Sequence, residues 1–263
     1  MNTDIFITSA IRHYPWLVCC LRTIEKHCHG FRQTVLVADE KYSDRWNELA
    51  RRFPFLRVVL VPEHGDGHLV QMAHKTGAYK FTDADLILYA DADYLFRQSC
   101  VPDDFMRDGK PLLVMSSYES LRHAHVAPDG STHPVPWQPV TEKAFGGPVE
   151  FEYMRIPGQL YPRWLPQLAS AYISKRFNMP AKAYILSCEP TPEWPRHGYC
   201  EFNFMGAVAH KLHPDKFSLF DLMADSVATG KLMAGWPIDQ CWTHGDTSQS
   251  PWRERIAAVL GSG

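Results

Sequence analysis

Within the first ninety residues, apolar runs alternate with helical patterns, and this alternation limits the chain to few architectures. "DIFITSA", "QTVLVADE", "FLRVVLVPE" and "DLILYA" read as four strands, near-continuous in apolar residues, as expected where both faces of a sheet are covered. Between them lie "YPWLVCCLRTIEKH", with Pro15 suited to a first turn, "SDRWNELARRF", with Ser43 as the expected N-cap, and "GHLVQMAHKTGAYKF". Strand–helix alternation of this kind predicts an α/β fold with a mostly parallel central sheet, right-handed crossovers and flanking helices.

The second half is less regular. "PLLVMSSYES" reads as a strand, "PRWLPQLASAYISKRF" as a helix from about Leu165, "CEFNFMGAVAHKLHP" as a helix and "DKFSLFDL" as an extended segment. Residues 128 to 148, with five Pro and the pair Gly146–Gly147, read as a long loop, and "GWPIDQCWTHGDTSQ" as an irregular tail. A net charge of -2 gives no global basic field to advertise nucleic acid or membrane. No run approaches the roughly 20 apolar residues that span a bilayer. "MNTDIFITSAIRHYP" lacks a basic segment followed by a long apolar one, and the seven Cys show no CxxC spacing. A reduced, cytoplasmic chain without structural zinc is expected.

Parallel sheets bind ligands beyond the carboxyl ends of their strands. Thr8, Ser9 and Arg12 follow the first strand, Asp39 and Glu40 the second, Glu63 to Gly67 the third, and Asp91 and Asp93 the fourth. In an extended segment, residues two apart point the same way, and the small Ala92 between the two acids lets a ligand approach. Such a carboxylate pair suits a hard divalent cation, Mg²⁺ or Mn²⁺, completed by phosphate oxygens and water; the alternative is a polar turn in which one Asp caps the next helix. In the preceding helix His68, Gln71 and Lys75 share one stripe, beside an apolar stripe of Leu69, Met72, Ala73 and Thr76 that would pack on the sheet. Lys75 could offer its ammonium to a diphosphate, or stand as a solvated surface lysine.

"GHLVQMAHKTGAYKFTDADLILYADADYLF" resembles the core of GT-A glycosyltransferases of the small bacterial and viral type, with a Q-x-x-x-K helix leading into a strand and a D-x-D. "YCEFNFMGAVAHKLHP" resembles their second block, and "CWTHGD" their C-terminal histidine segment. The resemblance implies a GT-A, Rossmann-like sheet in which Asp91 and Asp93 bind metal and sugar-diphosphate and His244 is a further metal ligand. It also implies that Thr8, Arg12 and Asp39 contact base and ribose, that Lys75 lies near the diphosphate, and that Glu201 holds the place of the catalytic base. The family often has an acidic pair there, where this chain has Glu201 followed by Phe202. The alternative for Glu201 is to cap the helix that follows it, and for His244 to be one structural histidine among thirteen.

On the acceptor side, "EYMRIPGQLYPRWLPQLASAYISKRFN" interleaves Tyr153, Tyr161, Trp164 and Tyr172 with Arg155, Arg163, Lys175 and Arg176. Tyr153, Arg155 and Trp164 are the expected acceptor contacts, with either a glycan or a hydroxymethylated base of phage-type DNA in mind; the alternative is an amphipathic helix and loop. The expectation is a single domain over residues 1–263, divided into a nucleotide-sugar half (1–100) and an acceptor half with a C-terminal tail (101–263). Its activity would be metal-dependent transfer from a nucleoside-diphosphate sugar, a UDP-sugar by expectation. The competing readings are a nucleotidyltransferase, whose Gly-rich phosphate loop "ITSAIRHYP" lacks, and a binding module that has lost catalysis.

Overall fold

The computed structural model describes residues 1–62, 65–124, 137–189, 198–241 and 252–260. The first part runs β1 (Thr3–Thr8), α1 (Tyr14–His27), β2 (Thr34–Asp39), α2 (Ser43–Arg52), β3 (Leu56–Val61), α3 (Gly67–Thr76) and β4 (Leu86–Ala90). Then follow β5 (Tyr94–Phe96), β6 (Met106–Arg107), β7 (Lys110–Ser117), α4 (Tyr118–Ala124), α5 (Trp137–Phe145), β8 (Phe151–Glu152), β9 (Gln159–Pro162), α6 (Trp164–Phe177) and α7 (Ala181–Leu186). The remaining described elements are α8 (Glu201–Leu212), β10 (Ser218–Asp221), α9 (Ser226–Gly235), β11 (Ile238–Gln240) and α10 (Trp252–Leu260).

The four expected strands form one sheet in the order β3-β2-β1-β4, all parallel, and β9 closes its edge antiparallel to β4. Strand geometry sends successive side chains to opposite faces, and both faces are covered. Phe6, Val35, Val37, Ile87 and Tyr89 pack with α3, α6 and α8. Ile5, Ile7, Leu36, Ala38, Leu88 and Ala90 pack with α1 and α2. From β1 the chain proceeds outward through β2 and β3, then returns to place β4 on the other side of β1. The order therefore reverses between the carboxyl ends of β1 and β4, where sheets of this class open a crevice.

Several local expectations need correction. Helix α2 starts at Ser43 itself, so Ser43 is not its N-cap; Tyr42 holds that position without a side-chain bond. The proline-rich stretch contains α5, because Pro139 falls in its first turn, where a missing N–H costs nothing. Gly146, at φ +84°, follows this helix in a left-handed conformation. The strand at "PLLVMSSYES" stops at Ser117, and α4 begins at Tyr118. The tail contains β11, paired antiparallel with β5 as Tyr94↔Gln240 and Phe96↔Ile238. Among the described residues, no helix is long and apolar enough to cross a membrane.

Candidate active site

The crevice between the ends of β1 and β4 holds a buried ion bridge. Lys75 Nζ lies 2.7 Å from Asp91 Oδ1 and 2.8 Å from Glu201 Oε1. Three elements meet here: the last turn of α3, the segment leaving β4 and the first turn of α8. Each is placed by local rules. Asp66 caps α3, its carboxylate accepting the N–H groups of His68 and Leu69. Leu69, Met72, Ala73 and Thr76 are buried against the sheet, as their stripe predicts. Lys75 sits beside that stripe, buried at 5% exposure, which rules out the solvated-lysine alternative. Glu201 opens α8 with Cys200 as its N-cap residue, and its carboxylate bonds Lys75 instead of capping the helix. A carboxylate in a first turn is also favoured by the helix dipole.

Phe202, the departure from an acidic pair, has a clear place: the Lys75 ammonium stands over its ring, 4.5 Å from the centroid. Burial by itself would lower the Lys75 pKa, but the charges and hydrogen bonds of Asp91 and Glu201 outweigh it and hold Lys75 protonated, above the ordinary lysine range. Burial lowers the pKa of the half-buried His68 imidazole, and Lys75 adds to that against the pull of Glu201, Asp66 and Asp91.

Asp91 to Tyr94 is a turn rather than extended chain, since the Tyr94 N–H donates to the Asp91 carbonyl at 3.1 Å. The period-two argument for convergent carboxylates therefore does not apply as stated. Both acids nonetheless act on the same neighbours: burial first, then their two charges, push the Cys20 thiol and the Tyr94 phenol well up. Ala92 and Asp93 are buried, and the Cys241 N–H, just past β11, donates to the Asp93 carbonyl at 2.9 Å. His244 lies outside the described residues. Among the described residues no group of three His, Cys, Asp or Glu comes together to hold a metal ion. The pair itself fits a hard cation, because Mg²⁺ is commonly held by one or two carboxylates together with water and substrate phosphates.

The remaining expected residues divide into two groups. Thr8 and Ser9 are buried at the end of β1, with Thr8 Oγ1 3.4 Å from His74 Nδ1. Arg12 is exposed and donates to His13 Nε2 at 3.2 Å. Asp39 ends β2 and accepts the Lys41 N–H at 3.1 Å. Gln71 is half-buried on the Lys75 stripe. These stay at the carboxyl side of the sheet. The acceptor trio does not hold together. Tyr153 is a core residue at 1% exposure, its hydroxyl bonded to His210 Nδ1 at 2.9 Å and its ring packed so tightly on Gly206 that a Cβ there would clash with it. It has no free ring face on which to stack a sugar. Trp164 follows β9, whose Pro162 pairs with Leu86 at the start of β4. It therefore lies at the opposite end of the sheet from Asp91, about 17 Å away along β4 at ~3.3 Å per residue. Arg155 is exposed and pairs with Glu152 at 3.0 Å.

Sequence reasoning did not single out Glu152, a buried carboxylate on β8 paired with Arg155, or Gln159, which pairs with Tyr89 near the carboxyl end of β4 and has a buried Oε1 without a hydrogen-bond partner. An acid set between the aromatics Phe151 and Tyr153 was a signal for the first; nothing in local sequence pointed to the second.

No protein-family model and no curated protein matches the sequence. Solved structures do. The glycosyltransferase GlyE of Streptococcus pneumoniae TIGR4 matches 99% of this chain at 12% identity and a TM-score of 0.51, and this chain spans 60% of that protein's length. The galactosyltransferase LgtC, solved with donor and acceptor sugar analogues, matches 98% of this chain and 95% of its own at 11% identity and a TM-score of 0.55. The bifunctional glycosyltransferase WbbM matches 99% of this chain over 52% of its own, at 9% identity and a TM-score of 0.52. At these identities the likeness is one of fold, and the fold is that of GT-A glycosyltransferases.

Proposed function

We propose that this chain is a glycosyltransferase moving a sugar from a nucleoside diphosphate, UDP by expectation, to a hydroxyl of a glycan acceptor. The observation that carries the reading is the bridge of Lys75 to Asp91 and Glu201 at the point where the strand order reverses, in a fold shared with glycosyltransferases. A nucleoside diphosphate leaves well only when its charge is neutralised. Asp91 and Asp93 would hold Mn²⁺ or Mg²⁺, which supplies that neutralisation as a Lewis acid when bound. His244 is proposed as a further ligand; in support, β11 brings the chain to Cys241, whose N–H bonds the Asp93 carbonyl. Thr8, Ser9, Arg12 and Asp39 are proposed to line the nucleotide, with His68, Gln71 and Ala92 on the sugar-diphosphate side. Residues 1–100 would thus hold the donor and residues 101–263 the acceptor.

Glu201 is proposed as the general base. Lys75 engages its Oε1, and Oε2 is not part of that bridge. An acceptor hydroxyl within hydrogen-bond reach of that oxygen, directly or through one water, would pass it the proton as the new glycosidic bond forms. Phe202 and Cys200 flank the acid and limit access of bulk water to it.

The test incubates the purified chain with Mn²⁺, a panel of sugar nucleotides, and glycan and hydroxymethylated-DNA acceptors, followed by mass spectrometry. Sugar transfer to glycan is expected. Transfer to DNA alone would replace the acceptor class, and the absence of both transfer and sugar-nucleotide hydrolysis across the panel would overturn the enzymatic reading.

A further inference from the structure

The Lys75 ammonium has a more specific consequence than support for a diphosphate. Three electron-rich partners surround it: Asp91 Oδ1 at 2.7 Å, Glu201 Oε1 at 2.8 Å and the Phe202 ring at 4.5 Å. It is buried, and both carboxylates it joins come from other elements. One of them, Asp91, belongs to the pair proposed to take a divalent cation. A monovalent cation supplied by the protein thus sits on that aspartate.

We propose that Lys75 is the resident counter-ion of this site, competing with a free divalent cation for Asp91, so that the metal is taken up together with the nucleoside diphosphate rather than ahead of it. The inference rests on the reading of Asp91 and Asp93 as metal ligands. Its basis is charge balance. Lys75, bonded to both Asp91 and Glu201, sets a positive charge against the aspartate that the cation would need. A bare cation meets a weakened field and a lysine on one of its ligands. A cation carrying a diphosphate brings its own oxygen ligands and depends less on Asp91. Removing the ammonium removes the repulsion at a distance where buried charges are poorly screened.

The experiment measures Mn²⁺ binding by the loss of the free-ion electron paramagnetic resonance signal, with and without UDP. Wild type, Lys75→Met, Lys75→Gln, Lys75→Arg and Asp91→Asn are compared, and circular dichroism selects the folded variants. Without UDP, Lys75→Met or Lys75→Gln should bind Mn²⁺ about tenfold or more tightly than wild type, and the gain on adding UDP should shrink by a similar factor. Lys75→Arg should stay near wild type and Asp91→Asn should bind weakly throughout. If whichever neutral variant folds binds bare Mn²⁺ no more tightly than wild type, the counter-ion proposal is overturned while the metal site stands. If wild type itself fails to bind Mn²⁺ even with UDP, the metal reading fails and the inference goes with it. Because the readout is Mn²⁺ occupancy, a merely structural lysine would not produce the tighter binding.

Discussion

At the amino end of the central sheet, the Asp4 carboxylate accepts from Arg32 Nε at 2.9 Å, Arg32 Nη2 at 2.8 Å, Gln33 Nε2 at 2.9 Å and Thr82 Oγ1 at 2.5 Å. At the carboxyl end, one ammonium is shared between Asp91 and Glu201, with Asp93 buried close by. Both ends bury acids, yet the donors they meet differ. Asp4 accepts four hydrogen bonds and has a planar, two-pronged partner in Arg32. At the carboxyl end, two carboxylates from different elements share a single ammonium. A buried carboxylate with several donors of its own serves the fold; carboxylates that share one ammonium are those a further cation can stabilise. The difference marks one end as scaffold and the other as the place for chemistry.

The largest expected effect is Glu201→Gln. If Glu201 is the base, kcat falls about 10²–10⁴-fold while donor affinity changes little. Turnover near wild type in a folded variant would remove the assignment and direct attention to Glu152. Next is Asp4→Ala, which leaves Arg32 beside Asp83 without its main partner. Breaking such a pair costs about 3 kcal/mol, the low end of the range for buried pairs because Arg32 is a third exposed. Chemical denaturation should show that loss with kcat unchanged, and a parallel loss of kcat would blur the contrast between the two ends.

Acidification should weaken the two ends in sequence. The His74 imidazole, packed against Thr8, is pushed down to about 4 by burial, with Lys182 adding to the shift, from an ordinary 6.5. Its folded-state value is depressed, so the unfolded chain takes the proton first. Stability is complete above pH 6.5 and is lost as pH falls toward 4, by about 3 kcal/mol in all. Burial would raise the pKa of Asp4, but its hydrogen bonds from Arg32, Thr82 and Gln33 outweigh that and hold it below the usual carboxylate range. Its contribution is present above the unfolded value near 3.9 and is lost only below that. Melting temperatures of His74→Gln and Asp4→Ala against pH should separate these windows; a wild-type profile flat from pH 6.5 to 4 would contradict the first. The smallest effect is expected from Trp164→Ala. At the scaffold end, 36% exposed and touching His213 and Phe217, it should alter kcat and acceptor KM by less than about twofold. A tenfold rise in acceptor KM would show that the two ends are not separate in function.

The parallel sheet, α1, α3, α6 and α8 were legible because their signals are local: apolar runs, a proline in a first turn, and the Leu69–Met72–Ala73–Thr76 stripe. Two acids after a strand and polar residues at strand ends also pointed to the crevice. Helix α5 was hidden because prolines that break a helix interior are tolerated in its first turn. Strand β11 was hidden because three residues carry too little periodicity to read. Tyr153 and Trp164 were misplaced because an aromatic side chain looks alike in sequence whether it fills a core or lines a cleft.

Within the first ninety residues the sequence by itself determined the alternation of strand and helix, which stripe of α3 faces the sheet, and that Asp91 and Asp93 would emerge at the end of β4. Only the tertiary structure decided that Lys75 is buried rather than solvated. Its partners are Asp91 on the neighbouring strand end and Glu201, 126 residues away in the chain. Periodicity and turn chemistry act over a few residues and are written in local sequence. An ion bridge depends on distances between elements that only packing sets, and those depend on the whole core at once.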